Sequence, residues 1–409
     1  LSLAVDTLSA LANGNSTLVK GIYLVEDDDI AVDSVAVTVQ AFNADAATSS
    51  VTDAAQADMT SGGNGNIVLV STAGTIILHE GGDTDGHAVS ADGSGNVLLQ
   101  AQASGKDVVV QADLLSGTGH ITVLAADAVD FDSDDADIRT SAGGSIDVQA
   151  GGAITQHDNS LFSAGAGGAG GIRLVAGTSV TLGGLETGGN VSIRAVSGSI
   201  VDGGDTYVDV IGGGLRLSAG VGIGSLGGGT DNAIETTVTN VSARATSGGI
   251  NLLESDNLFV NDVVVSVSKV AATGLATATA TTGNDAVQAD VRTTAGNGSI
   301  VLRTLDGTLL LNPGSSDTAD AGALAAHGSG NILLQARETT TATTANVTFN
   351  ANSDLVSGSG NISLLAADNV ILNAGVDIAT GGAGSLDVWA ETTGGGISNS
   401  YTAGLSITG

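Results

Sequence analysis

A nine-residue segment occurs twice in this chain, and this repetition constrains the fold more than any other feature. Residues 93–101 read Gly-Ser-Gly-Asn-Val-Leu-Leu-Gln-Ala, and residues 328–336 repeat them 235 positions later with isoleucine in place of valine. Residues 21–26 return in the same way at 249–254, 228 positions later. Because repetition of this kind determines architecture, the spacing predicts a module of roughly 230–240 residues copied in tandem.

A shorter unit recurs inside each module, in which Gly-x-Gly and a polar residue precede alternating apolar residues. The units start at Gly63, Gly93 and Gly117 and again at Gly296, Gly328 and Gly358. In residues 121–125, Ile121, Val123 and Ala125 share one face of an extended segment, which is the period of a half-buried strand. Turn residues (Gly, Asp, Asn and Ser) follow each strand.

A unit of this size predicts an all-β fold, a right-handed parallel β-helix (β-solenoid) with three short strands per coil of about 25 residues. The right hand rests on the general preference of parallel crossovers. We expect one continuous solenoid over residues 1–409, with a first module at about 1–230 and a second, incomplete module at 231–409. The chain begins and ends inside the pattern, which suggests a piece of a longer polypeptide or a rod that stacks end to end.

The predicted core consists of small aliphatic side chains, because hydrophobic residues make up 42% of the chain and aromatic residues only 2%. The expected inward positions are Val97, Leu99, Ile121, Val123, Ile332, Leu334, Ile362 and Leu364. There is no cysteine, so stacked coils rather than disulfides must stabilise the fold. Asparagine at strand starts, as at Asn190 and Asn361, is expected to stack its amide between coils.

The charge balance restricts the partners of this chain. Its 43 acidic and 11 basic residues give a net charge of −32, which argues against nucleic acid and anionic membranes as partners. The sequence has no run of eighteen apolar residues, which a membrane-spanning helix would need, so we expect no membrane insertion. An acidic surface suits a secreted protein.

Two sets of motifs resemble a known group of proteins. They are Gly-Asn-(Ile/Val)-x-Leu, and Ser-Gly-(Thr/Ser)-Gly-(His/Asn)-Ile at 116–121 and 357–362 with Leu-Ala-Ala-Asp after it. This sequence resembles the repeat region of giant bacterial secreted surface proteins of the filamentous-haemagglutinin and large-adhesin group, over essentially the whole chain. The resemblance implies a right-handed β-helix shaft, an extracellular or cell-surface location, and a role in adhesion, envelope covering or filament building. It carries over no catalytic residue.

Two acidic runs are candidate calcium sites, because carboxylates at turns are the oxygen ligands that calcium prefers. The candidate ligands are Asp27, Asp28, Asp29, Asp132, Asp134 and Asp135. Neither run keeps its acids in the second module, although a structural ion ladder should repeat. Solvated corners are therefore the favoured interpretation, and we expect no metal and no cofactor, with calcium at these runs as the alternative.

Apolar residues at outward positions form a candidate contact face. If Val97 and Leu99 point inward, Leu98 points outward, and the same phase applies to its equivalents in other units. The face comprises Val68, Leu98, Val301 and Leu333, with Trp389 at another outward position. A column of apolar residues suggests a partner, either another shaft or domain or a corner insert of the same chain. The expected corner inserts are 80–89, 163–171, 203–208, 270–285 and 313–325.

These observations favour a structural protein over an enzyme. The expected function is a segment of an extracellular fibre or shaft that supports adhesion or forms a filament or sheath. Its partners would be further copies of itself, neighbouring modules of the same polypeptide, or cell-surface glycans. The alternative is a carbohydrate-binding or carbohydrate-cleaving β-helix. A cleaving enzyme needs clustered carboxylates or basic residues on one exposed sheet, which sequence spacing does not show.

Overall fold

All regular secondary structure in the described part of the chain is β-strand. The computed structural model describes residues 1–13, 21–141, 143–165, 170–205, 207–227, 233–277, 284–315, 322–339, 344–390, 397–399 and 406–408. No helix long and apolar enough to cross a membrane is found among these residues. The predicted all-β class is therefore confirmed.

The strands are short and numerous. They are β1 (Ser2–Leu3), β2 (Thr7–Leu8), β3 (Ala10–Ala12), β4 (Gly21–Glu26), β5 (Ile30–Val32), β6 (Thr38–Phe42), β7 (Thr48–Thr52), β8 (Met59–Ser61), β9 (Asn66–Ser71), β10 (Ile76–Leu78), β11 (His87–Ala91), β12 (Val97–Ala101), β13 (Val108–Val110), β14 (Asp113–Ser116), β15 (Ile121–Ala125), β16 (Val129–Phe131), β17 (Ile138–Thr140), β18 (Ile146–Ala150), β19 (Ile154–Gln156), β20 (Leu161–Ala164), β21 (Ile172–Ala176), β22 (Val180–Leu182), β23 (Gly184–Thr187), β24 (Val191–Ala195), β25 (Ile200–Asp202), β26 (Val210–Ala219), β27 (Ile234–Ala245), β28 (Ile250–Glu254), β29 (Leu258–Val260), β30 (Val263–Ser266), β31 (Lys269–Val270), β32 (Ala276–Thr277), β33 (Asn284–Gln288), β34 (Val291–Thr293), β35 (Ile300–Thr304), β36 (Leu309–Leu311), β37 (Gly322–Ala326), β38 (Ile332–Ala336), β39 (Val347–Phe349), β40 (Asp354–Ser357), β41 (Ile362–Ala366), β42 (Val370–Leu372), β43 (Asp377–Thr380), β44 (Leu386–Ala390), β45 (Ile397–Asn399) and β46 (Ser406–Thr408).

Parallel pairing between strands far apart in sequence builds two long sheets, one of 32 strands and one of 8. Strand β12 pairs in parallel with β9 on one side and β15 on the other, and β13 pairs with β10 and β16 in the same way. Each level of the stack therefore lies on the level before it. This is the strand arrangement of a β-solenoid. Three antiparallel strand pairs, β6–β7, β30–β33 and β31–β32, lie outside the two long sheets, and the last two belong to one ribbon.

The core is one continuous column of small apolar side chains. Val97, Leu99, Ile121 and Val123 are fully buried, and the equivalent inward residues of β38 and β41 are also buried. Alternation places them on the inner face of each strand, as the sequence predicts. Aromatic rings are rare in this core, but Phe131 and Phe162 meet edge to face with ring centroids 4.4 Å apart.

Asparagine side chains connect successive levels at the start of the long strands. Asn96 accepts a hydrogen bond on Oδ1 from the backbone of His120, and Asn66 accepts one from the backbone of Asn96. In the second module, Asn361 accepts from the backbone of Ser385 at 3.0 Å. These bonds satisfy corner N–H groups that the strand ladders leave unpaired. Asn190 differs, because its amide donates to the carbonyl of Val264, 74 residues away.

The two modules present equivalent strands to different sides of the stack. The column that contains β4, β9 and β12 continues through β26 into the second half of β27, and from there to β34. Strand β28 is the sequence equivalent of β4, yet it pairs with the first half of β27 and lies in another column. The shift arises because β26 and β27, with 10 and 12 residues, run on through a position where earlier levels break into two strands.

Candidate interaction surface

Outward-pointing side chains of the first module, continued by Ser242 of the second, align in a single column, the outer column. In register order the outer column comprises Tyr23, Val68, Leu98, Thr122, Asp147, Arg173, Ser192, Arg216 and Ser242. These side chains face away from the core, so water would cover them if the sheet were bare. Leu98 nevertheless exposes only 1% of its surface, and Asp147 exposes none. Another part of the chain must therefore cover the column.

The cover is an insert of the second module, residues 263–288, which we call the strap. It leaves the stack between β29 and β34, whose partners on the level below are Asn240–Val241 and Ala243–Ala245. The strap thus emerges directly above Ser242, the last residue of the outer column. It runs back over the first module as an antiparallel ribbon built from β30–β33 and β31–β32. The predicted corner insert at 270–285 is the far part of this strap, and residues 278–283 lie outside the described residues.

The far end of the strap makes apolar contacts. Val270 is buried in a cluster with Val68, Val70 and Leu98, and Ala276 packs against the same cluster. Beyond it, the side-chain amide of Asn96 donates to the Gly274 carbonyl at 3.0 Å. These contacts are the hydrophobic anchor that removes the apolar part of the outer column from water.

Hydrogen bonds fix the middle of the strap in register. The backbone N–H of Val270 donates to Thr122 Oγ1 at 2.9 Å, and that of Ser268 donates to Ser145 Oγ at 2.9 Å. Nearer the root, Gln288 Nε2 donates to the Leu217 carbonyl at 2.9 Å. Because all of these partners are buried or half-buried, each bond is costly to break.

A charged cluster lies under the near half of the strap. Arg173 Nη1 donates to Asp147 Oδ1 at 3.0 Å, and its Nε lies 3.4 Å from Asp285 Oδ2 of the strap. Asp285 also accepts a hydrogen bond from Ser192, and Arg216 Nε donates to the Ala286 carbonyl at 3.1 Å. Burial raises the pKa of Asp147, while the Arg173 charge and hydrogen bond lower it. Arg173 therefore joins the strap to the sheet by holding two buried carboxylates at once.

The predicted contact residues do not share one face. Val68 and Leu98 lie under the strap, so the corner-insert alternative describes them. Val301 and Leu333 lie in the column of β28, β35 and β38, on another side of the stack because of the shift at β27. They are half-buried beside Leu226 in a shallow depression of about 400 Å³.

Trp389 lies on the same outer face as Val301 and Leu333, two positions further along the strands, because it pairs with Leu365, which pairs with Gln335. The residue is 63% exposed and borders a cleft of about 340 Å³ that Gln335, Arg337, Glu338 and Leu365 also line. Arg337 Nε donates to Gln335 Oε1 at 3.0 Å, so the polar side of the cleft is ordered. An exposed indole beside oriented polar groups can bind a ligand with both apolar and polar surfaces.

The acidic runs predicted as calcium candidates lie at exposed corners. Asp29 accepts a hydrogen bond from Lys106 Nζ at 2.9 Å and one from the Thr75 backbone, and both lower its pKa. Asp27 accepts from Thr72 Oγ1 at 3.2 Å, and Asp134 pairs with His157 Nδ1 at 2.8 Å. Asp28, Asp132 and Asp135 are exposed. Neither run brings three carboxylates together within the described ranges.

Carboxylates from three residues do approach within 4.8 Å at two other places in the described part of the chain. One is formed by Asp58, Asp83 and Asp85, and the other by Asp202, Asp205 and Glu235. Burial and the neighbouring acids raise the pKa of Asp58 to about 7. No simple run of acids marks these clusters, because each combines a strand-entry residue with a corner insert.

No protein-family model matches the chain, and neither a curated protein nor a solved structure does. Function must therefore be inferred from the stack, the strap and the clefts themselves. Sequence reasoning missed Asp147, Arg173 and Asp285 as a unit. The available signal was that outward strand positions 173 and 216 carry arginine in a chain with only 11 basic residues.

Proposed function

We propose that this chain is a structural segment of an extracellular or cell-surface fibre, in which modules add length to one rod. In this proposal the rod is a right-handed parallel β-helix with three short strands per coil of about 25 residues. It supports adhesion or forms a filament or sheath, as in the filamentous-haemagglutinin and large-adhesin group that the sequence resembles. No catalytic residue, nucleic acid or membrane insertion is part of the proposal.

The observation that carries the proposal is unbroken strand pairing across the boundary between the modules. Strand β26 of the first module pairs with β27, which pairs with both β28 and β34 of the second. Independent domains would instead be joined by a linker that few contacts cross. Here the second module continues the same core, so a further module would extend the rod rather than form a separate body.

The strap gives the rod a second connection between levels. Backbone pairing joins each level to its neighbours, whereas the strap spans from Ser242 at its root to Asn96 at its far end. To separate two intermediate levels, a pulling force must therefore break both the ladder and the strap contacts. A fibre that bears load benefits from such a connection.

Electron microscopy of an extended chain tests the proposal. The extended chain carries residues 1–233 in front of the full 409-residue chain, so that Ala233 precedes Leu1 as it precedes Ile234. The unextended chain has about fifteen levels, so we expect a rod of about 70 Å, which the extension lengthens by about 40–45 Å in one straight line. Two rods joined at variable angles would contradict a shaft built from continuous modules.

A second candidate function rests on the cleft beside Trp389. An exposed indole flanked by Gln335, Arg337 and Glu338 suits the stacking and hydrogen bonding of a sugar ring. Glycan capture that disappears in the Trp389→Ala variant would favour a carbohydrate-binding shaft. A glycan array probed with the unextended chain and with this variant therefore separates the two candidates.

A further inference from the structure

The β6–β7 hairpin of the first module is the counterpart of the strap. Both follow equivalent strands, because β5 precedes the hairpin and β29 precedes the strap. The hairpin insert ends in Ala-Gln-Ala-Asp at 55–58, and the strap ends in Val-Gln-Ala-Asp at 287–290. Val35 pairs with Gln56 in an antiparallel bridge, and Val263 pairs with Gln288 in the same way. Counting both paired residues, the first insert has 22 residues and the second has 26.

The roots of the two inserts make matching contacts with the level below. Gln56 Nε2 donates to Ser9 Oγ at 3.3 Å, and Gln288 Nε2 donates to Ser242 Oγ at 3.4 Å. The flanking strands also pair alike, because β5 and β8 lie on β2 and β3 as β29 and β34 lie on β27. The hairpin therefore leaves the stack above Ser9 as the strap does above Ser242.

The hairpin differs from the strap in that its apolar side chains are about half exposed in the part of the chain that the structure describes. Val265 of the strap is fully buried, whereas its counterpart Val37 is 51% exposed and Val39 is 55% exposed. Val39 pairs with Val51, so the exposed valines share one face of the hairpin. On the opposite face, Thr38 contacts Thr52 Oγ1 at 2.8 Å and Gln40 contacts Ser50 at 2.8 Å, and only the exposed Phe42 next to the turn is apolar there. The valines therefore form the larger apolar surface of the hairpin.

We propose that the β6–β7 hairpin is a strap for the outer column of another copy of this module, stacked in front of Leu1. The valine face would lie on the apolar and polar outer residues of that module. Asp53, the counterpart of Asp285, would face an arginine as Asp285 faces Arg173 and Arg216. This inference rests on the proposed function, because it requires modules that stack into one rod.

Thiol labelling of the extended chain tests this docking. The chain has no cysteine, so a Val39→Cys substitution in the 409-residue part gives a single reactive site. In the extended chain we expect labelling about 10-fold or more slower than in the unextended chain, because docking protects the valine face. Gln40→Cys, on the opposite face, should label equally fast in both chains.

The outcomes separate this inference from the proposed function. One straight rod with unprotected Val39→Cys overturns the docking and leaves the shaft intact, whereas two unstacked rods overturn both. Adding Asp53→Arg to the extended chain should restore fast labelling if an arginine faces that position. Protection that grows with the concentration of the unextended chain would place a second complete chain on the hairpin, which overturns the assignment to a stacked module.

A second, independent observation concerns the buried carboxylate at the entry to β8. Asp58 is 3% exposed, and its Oδ1 has no hydrogen-bond partner. Asp83 and Asp85 approach it from the corner insert after β10, where Gly81 also passes next to Asp58 Oδ1. An uncompensated buried carboxylate beside two others must either take up a proton or be compensated by a positive charge.

The second module shows what supplies that charge at the equivalent place. Asp290 is the counterpart of Asp58, and both have a positive φ, 64° and 63°. Arg292 Nη2 donates to Asp290 Oδ2 at 2.7 Å, so the second module carries its own cation. The first module has Thr60 at that position and two further carboxylates instead. The geometry points to a divalent cation, calcium in preference to magnesium, held by Asp58, Asp83 and Asp85.

Calorimetric titration of the full chain with calcium chloride tests this site. We expect binding that weakens at least about 10-fold in the Asp83→Asn/Asp85→Asn variant, because two of three charged ligands are lost. Thr60→Arg should also abolish binding, since it copies the arginine of the second module. The exposed Asp45→Asn serves as the control. The site is overturned if the unaltered chain does not bind calcium. It is also overturned if the two site variants bind calcium as tightly as the Asp45→Asn control does.

Discussion

Replacing Arg173 with alanine is expected to lower the free energy of unfolding by about 3–5 kcal/mol, because it removes the cation shared by two buried carboxylates. The Arg173 side chain is 11% exposed, and those of Asp147 and Asp285 are 0% and 9% exposed. Gln149 still donates to Asp147 at 2.8 Å, but a neutral amide does not replace a guanidinium. Denaturant titration followed by circular dichroism measures the loss.

Lys106→Ala provides the matched control for this prediction. Lys106 pairs with Asp29 at 2.9 Å, but both side chains are solvated, so its loss should cost no more than about 1 kcal/mol. Adding Asp147→Asn to Arg173→Ala should recover part of the stability, because one of the orphaned charges disappears. Equal losses of stability in the arginine and lysine variants would contradict the role assigned to Arg173 under the strap.

Gly119→Ala is expected to destabilise the stack by about 3 kcal/mol or more, since overpacking cannot relax against backbone. A Cβ at this position would lie 2.1 Å from the Gly95 carbonyl oxygen and 2.6 Å from its carbon, on the level below. Relieving that contact requires two levels to separate where their strands pair. The parallel strand pairs β12–β15 and β11–β14, which flank this position, would have to lose hydrogen bonds.

Gly227→Ala is the control for the glycine prediction. A Cβ there would have no neighbour within 4 Å among the described residues, and Gly227 is exposed. It should be neutral or slightly stabilising, by at most about 1 kcal/mol, through the lower entropy of the unfolded chain. Thermal unfolding of both variants checks the pair, and a tolerated Gly119→Ala would contradict the close approach of the levels.

The inward residues of the stack could be predicted from sequence because they depend only on local alternation. Val97 and Ile121 are buried whatever lies outside the strand, and the glycines mark where the levels meet. The coverage of Leu98 could not be predicted in the same way, because it depends on Val270, more than 170 residues away. Periodicity correctly places Leu98 on the outer face, but it contains no information about where an insert lands.

The change of column at β27 was equally hidden from sequence. The repeat at 21–26 and 249–254 implies that both segments occupy the same side of the stack, and they do not. The reason is that β26 and β27 stay extended through a corner, which alters how many strand positions a level uses. Equivalent sequence segments therefore lie on two sides of the stack, which is why Val68 and Val301 do not meet.

The same offset at β27 has a consequence for a longer polypeptide of such modules. If each level has three columns, as proposed, each boundary would pass the equivalent strand to the next column, and three modules would return it to its starting side. Inserts from successive modules would then be distributed evenly around the long axis. A filament braced in this way resists bending equally in every direction, whereas inserts on one side alone would leave it easier to bend away from them.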